Sequence, residues 1–88
     1  MVSQTINLNL GDGLNTKAVS QIIHYLKDFN STVTMRHDGR IANCKSLISL
    51  INLGAEPFSR VEVIIEGINE KKELADFVEF LENFSTEK

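Results

Sequence analysis

The sequence predicts a two-layer α+β sandwich, one mainly antiparallel sheet carrying its helices on one face. Three observations lead there: apolar residues alternate in several short runs, amphipathic segments of helical spacing lie between them, and the elements follow in the order β-α-β-β-α-β-α. In "TINLNL", Ile6, Leu8 and Leu10 alternate with Thr5, Asn7 and Asn9, the pattern of a strand with one face buried; it ends at Gly11. After "GDG", the residues Ala18, Val19, Ile22, Ile23, Leu26 and Phe29 recur at helical spacing and make helix one, about three turns long.

"STVTMRHDGRIANC" reads as a hairpin, with β-branched Thr32, Val33 and Thr34 running into Asp38-Gly39 and strand three following from Arg40 to about Asn43. In "KSLISLINLG", Leu47, Ile48, Leu50, Ile51 and Leu53 form a short and unusually apolar helix two. Ser46 is suited to its N-cap and Gly54 to its C-terminal stop. Pro57 bars continuation of that helix. "RVEVIIEG" resumes the alternation as strand four, with Val61, Val63 and Ile65 against Glu62 and Glu66. Asn69 then caps helix three, with Glu70 and Glu73 in its first turn and Leu74, Phe77, Val78 and Leu81 as its buried stripe; the tail "STEK" frays.

The chain's 88 residues are enough for one core and too few for two, so residues 1–88 are read as one domain. A net charge of −3, with Lys and Arg scattered along the chain and not clustered, gives no field to gather phosphate backbones and excludes nucleic acid as partner. Cys44 is the one cysteine and closes no internal disulfide, and the N-terminal segment lacks the flanks of a signal peptide, which makes the cytoplasm the expected location. No apolar run approaches the roughly 18 residues of a membrane span.

Catalytic chemistry is hard to find in this chain. His24 lies inside helix one with only Asp28 at a helical interval, and His37 adjoins the Asp38-Gly39 turn, so neither belongs to a metal site. Cys44 has no activating base nearby and reads as a small buried apolar residue. No cofactor is implied. Ser46 is different: its hydroxyl at a helix start, beside Lys45, lies where free N–H groups would stabilise a phosphate. As a plain N-cap it would need no further role.

Two segments carry a resemblance. Gly13-Leu14-Asn15-Thr16-Lys17-Ala18-Val19 is similar to the segment G-(L/I)-H-(A/T)-R-P-A, and Asn43-Cys44-Lys45-Ser46-Leu47 to N-x-K-S-(I/L), both of the HPr family, the histidine-containing phosphocarriers of the bacterial sugar phosphotransferase system. "SLINLG" and "EGINEKKEL" resemble that family's helix two and the approach to its helix three. The likeness covers residues 2 to about 84 without insertion. It implies an open-faced β-sandwich of four antiparallel strands with three helices on one face. The strand order would be 1-4-2-3, whereas a ferredoxin-like ligand-sensing module, the alternative for this element order, would show 4-1-3-2.

The resemblance also implies functions. The family's carrier histidine takes phosphate from phosphoenolpyruvate by way of Enzyme I; Asn15 stands in its place, and an amide nitrogen is no nucleophile at neutral pH. Lys17 stands for the arginine that grips the phosphoryl group, Ala18 for the proline, and Phe58 for a glycine. Ser46 matches the serine that HPr kinase/phosphorylase modifies with ATP, after which the protein acts as corepressor of catabolite control protein A. The Crh branch of the family lacks the histidine and keeps the serine, and this chain is similar to it. The expected reading is a regulatory protein, not an enzyme, phosphorylated at Ser46. A catabolite control protein or another regulator would read it through Lys17, Lys45, Leu47, Ile48 and Ile51. The alternative within the family is a phosphocarrier with another acceptor, such as His24. Exchange of strand one between protomers would make a homodimer.

Overall fold

The computed structural model describes residues 1–8, 15–54 and 59–83. Four strands, β1 (Val2–Asn7), β2 (Thr32–His37), β3 (Arg40–Asn43) and β4 (Arg60–Glu66), form one sheet in the order β1-β4-β2-β3, every neighbouring pair antiparallel. This is the 1-4-2-3 order and not the ferredoxin-like one. Three helices, α1 (Thr16–Leu26), α2 (Leu47–Leu53) and α3 (Glu70–Glu82), complete the α+β sandwich.

Register explains which sheet face is dry. Ile6 lies opposite Val61, while Ile65 lies opposite both Val2 and Val33, and Val63 opposite Met35, which in turn faces Ala42 across the hairpin. Because side chains alternate along a strand, these residues share one face, and all but half-buried Val2 are nearly sealed from solvent with Ala18, Val19, Ile22, Leu26, Leu50, Leu53, Leu74, Phe77, Val78 and Leu81 of the helices. The opposite face carries Thr5, Thr34, Arg36 and Glu62, with an ion pair between Arg36 and Glu62, and stays open.

The turn chemistry matches the residues. Asp38 and Gly39 take φ of 53° and 82°, the two positive angles a two-residue hairpin needs, and Gly54 ends α2 at φ 71°. The fit of α1 to α3 rests on rings. Tyr25 and Phe80 stack at 4.1 Å, Phe29 meets Phe77 edge-on at 6.4 Å, and the Tyr25 hydroxyl donates to the Asp76 carbonyl at 3.2 Å.

Three boundaries differ from the sequence reading. The first strand begins at Val2, not Thr5, because β4 is long enough to pair Val2 and Ser3 with Ile65 and Ile64. It closes at Asn7, with Leu8 still donating its N–H to the Ser59 carbonyl at 2.7 Å. Helix one stops at Leu26: Lys27 donates back only three residues, to His24, and Phe29 reaches the core from beyond the helix, its N–H on the Leu26 carbonyl. Asn69 precedes α3 but its side chain caps nothing. The Glu70 carboxylate instead accepts the Gly67 N–H at 3.1 Å and the N-terminal ammonium at 2.9 Å, and these two bonds, the ammonium's first, hold its acidity above the usual carboxylate range. Leu10, Gly11, Gly13, Leu14, Pro57, Phe58 and the tail lie outside the described residues.

Candidate functional site

The two segments singled out by sequence both become helix starts. Asn15 has extended backbone at φ −92° and ψ 176°, its Oδ1 accepts the Ala18 N–H at 2.8 Å and its carbonyl accepts the Val19 N–H at 2.9 Å. It is therefore a complete N-cap for α1, with its polar atom already spent on the helix. Lys17 is exposed in the following turn, and Ala18 is fully buried.

Ser46 caps α2 in the same way but less tightly: its Oγ accepts the Ser49 N–H at 3.3 Å and its carbonyl accepts the Leu50 N–H at 3.1 Å. Asn43 shapes the turn before it. The Asn43 side chain accepts the Lys45 N–H at 2.9 Å and its carbonyl accepts the Ser46 N–H at 3.0 Å, which presents the half-buried serine at the helix start. Lys45 does not reach over Ser46. Its ammonium donates to the Phe29 carbonyl at 2.6 Å.

Behind Ser46, α2 spends only Leu50 and Leu53 on the core. Leu47, Ile48 and Ile51 are 40%, 70% and 39% exposed, so three large aliphatic side chains of one short helix face solvent. Leu47 also closes a groove with Ser20, Ile23 and His24 of α1 and with Lys27 just past its end. These α1 residues were not singled out as a surface by the sequence reading, although their spacing of three and four marks a single helix face; Ile23 was assigned to the buried stripe and is only half-buried.

His24 is exposed on that face, in the last turn of α1. His37 donates Nδ1–H to the Arg60 carbonyl at 3.2 Å. Cys44 is fully buried, and desolvation pushes its thiol up to about 12, so it carries no thiolate at neutral pH. Among the described residues no three His, Cys, Asp or Glu side chains gather as a metal site would require, and no helix is long and apolar enough to cross a membrane.

An antiparallel sheet in this order, with two capped helix starts presented beside an apolar helix, is the architecture of the phosphocarrier class. Residues 2–83 match the family model described as the PTS HPr component phosphorylation site, and the chain belongs to the HPr family. The phosphocarrier protein HPr of Buchnera aphidicola subsp. Baizongia pistaciae is 31% identical over 81 residues, covering 92% of this chain and 95% of its own. The HPr-like protein Crh of Bacillus subtilis is 26% identical over 82 residues, covering 93% and 96%. Among solved structures, HPr-C-His from Thermoanaerobacter tengcongensis superposes with a TM-score of 0.86 at 23% identity over 93% of this chain and 92% of that one. Crh of Bacillus subtilis, described as a swapped, intertwined dimer, superposes at 0.76 with 24% identity over 99% and 100%. The relatives thus include both phosphocarrier proteins and HPr-like Crh proteins.

Proposed function

We propose that this chain is a regulatory HPr-like protein whose working residue is Ser46. HPr kinase/phosphorylase transfers the γ-phosphoryl group of ATP to Ser46 Oγ: the new P–O bond forms as the bond to the β-phosphate oxygen breaks, ADP leaves, and the hydroxyl proton passes to the kinase. A catabolite control protein, or another regulator, then reads the added charge together with the aliphatic surface of Leu47, Ile48 and Ile51, with Lys17 and Lys45 supplying cations at its margin. The chain itself catalyses nothing, acts as one domain and works in the cytoplasm. The observation that carries this reading is the half-buried Ser46 hydroxyl at the start of a helix whose next turns expose three aliphatic side chains.

Asn15 takes the place of the carrier histidine in this reading. Its amide serves as an N-cap and offers no nucleophile, so phosphate from phosphoenolpyruvate has no acceptor there. His24, exposed in the last turn of α1, is not a substitute, since that end of a helix presents carbonyls and lacks the free N–H groups that a helix N-terminus aims at a phosphoryl oxygen. Incubation with ATP and HPr kinase/phosphorylase is expected to add one acid-stable phosphate, seen in the intact mass and absent from Ser46→Ala. A folded wild-type protein that takes up none would contradict the reading.

A homodimer belongs to the same proposal. β1 makes its six pairs with β4 of its own chain, and exchange of that strand would remake each pair with β4 of a second copy at little net cost. The uncharged strand "VSQTIN" has no lysine or proline to blunt its free edge.

A further inference from the structure

We infer that Lys45 is a switch contact: an anion placed on Ser46 draws the Lys45 ammonium off the Phe29 carbonyl, so that a change at the start of α2 is felt at the end of α1. The inference deepens the Ser46 reading and rests on it for its biological trigger. Its physical basis is the contact itself, Lys45 Nζ to the Phe29 carbonyl at 2.6 Å, between residues sixteen apart in sequence. That carbonyl lies just past the C-terminus of α1, where unpaired carbonyls leave partial negative charge and attract a cation.

The bond is nonetheless a bond to a neutral group. Among the described residues Lys45 has no carboxylate partner. A phosphate on the adjacent residue carries about −1.5 to −2 charges, so it offers the Lys45 ammonium a charge-to-charge attraction that the neutral carbonyl dipole does not. The exchange needs little rearrangement. Asn43 pins the backbone N–H groups of both Lys45 and Ser46, so the turn stays in place and only the lysine side chain swings.

What is released has somewhere to pass the change. Phe29 packs its ring against Tyr25 at 5.6 Å and Phe77 at 6.4 Å, and the Tyr25 hydroxyl holds the Asp76 carbonyl, so the segment freed by Lys45 is the one that joins α1 to α3. The exposed ammonium loses its anchor at Phe29 and gains one beside Leu47 and Ile48. A partner approaching that surface then meets a lysine-phosphate pair in place of a lone serine.

Nuclear magnetic resonance of the intact chain tests this, with the carbonyl carbon shift and amide exchange of Phe29 as readouts. Five samples suffice: wild type, wild type phosphorylated by the kinase, Ser46→Asp, Lys45→Gln and the variant carrying both substitutions. Both anionic forms should move the Phe29 carbonyl signal to its position in Lys45→Gln and speed Phe29 amide exchange roughly three- to tenfold. Adding Ser46→Asp to Lys45→Gln should move the signal no further. Unmoved Phe29 signals in both anionic forms, alongside shifted amides at Leu47 to Ser49, overturn the switch and leave the Ser46 reading standing. If the kinase adds no phosphate, that reading falls and the Ser46→Asp sample alone decides the switch.

Discussion

Gly67 and Ser31 show how much of this fold is decided by single atoms. A Cβ built on Gly67 would lie 2.1 Å from Ser31 Oγ, 2.7 Å from its Cβ and 2.9 Å from its Cα. The last of these is backbone and cannot turn aside, so the turn after β4 accepts only glycine. Gly67→Ala should cost about 2–3 kcal/mol in urea unfolding, the upper part of the range for overpacked sites. Ser31 is 3% exposed and its Oγ has no hydrogen-bond partner among the described residues, so Ser31→Ala should be neutral within about 0.5 kcal/mol or slightly stabilising. A neutral Gly67→Ala would show that the segment relaxes more easily than its packing implies. None of this was legible in "EGINEK": a glycine there signals a turn, but the serine it must accommodate is far away in sequence.

Elements were the most legible level, because period and capping are local. The stripe Leu74, Phe77, Val78 and Leu81 is the buried face of α3, and Asn15, Ser46 and Gly54 take the cap positions that their residue types favour. Misreadings arose where a competing short-range contact decides. Asn69 was assigned the α3 cap on residue type, yet the Glu70 carboxylate closes that turn by reaching back to Gly67 N–H. Phe29 fits the α1 period but lies beyond a helix that the next turn has already ended. The site was legible only in part: Ser46 and the apolar run behind it are local signals. The α1 wall of the groove and the tie from Lys45 to Phe29 depend on how two helices meet. Since Asn15 Oδ1 bonds Ala18 N–H at 2.8 Å, Asn15→Ala should cost about 1 kcal/mol by urea unfolding, whereas Asn15→Asp should cost nothing. An unchanged Asn15→Ala midpoint would mean that the cap is replaced by water.

At the scale of the whole molecule, the sheet order could be anticipated only as one of two topologies, because alternation says which face of a strand is buried and not which strand lies beside it. The order β1-β4-β2-β3 leaves β1 and β3 as free edges. The strand-exchange proposal predicts two species in sedimentation velocity, monomer and dimer, interconverting slowly because the sheet must open between them. A single monomeric species across a hundredfold range of concentration would remove it. The central claim, that phosphoryl chemistry enters this protein at Ser46 and not at the start of α1, is tested most directly by mapping the phosphate. The chain is incubated in parallel with ATP and HPr kinase/phosphorylase and with phosphoenolpyruvate and Enzyme I, and the peptides are read by mass spectrometry under conditions that preserve phosphohistidine. The account predicts one acid-stable phosphate on Ser46 from the first mixture and nothing from the second. An acid-labile phosphate on His24 or His37 from the second mixture, with Ser46 unmodified in the first, would contradict it.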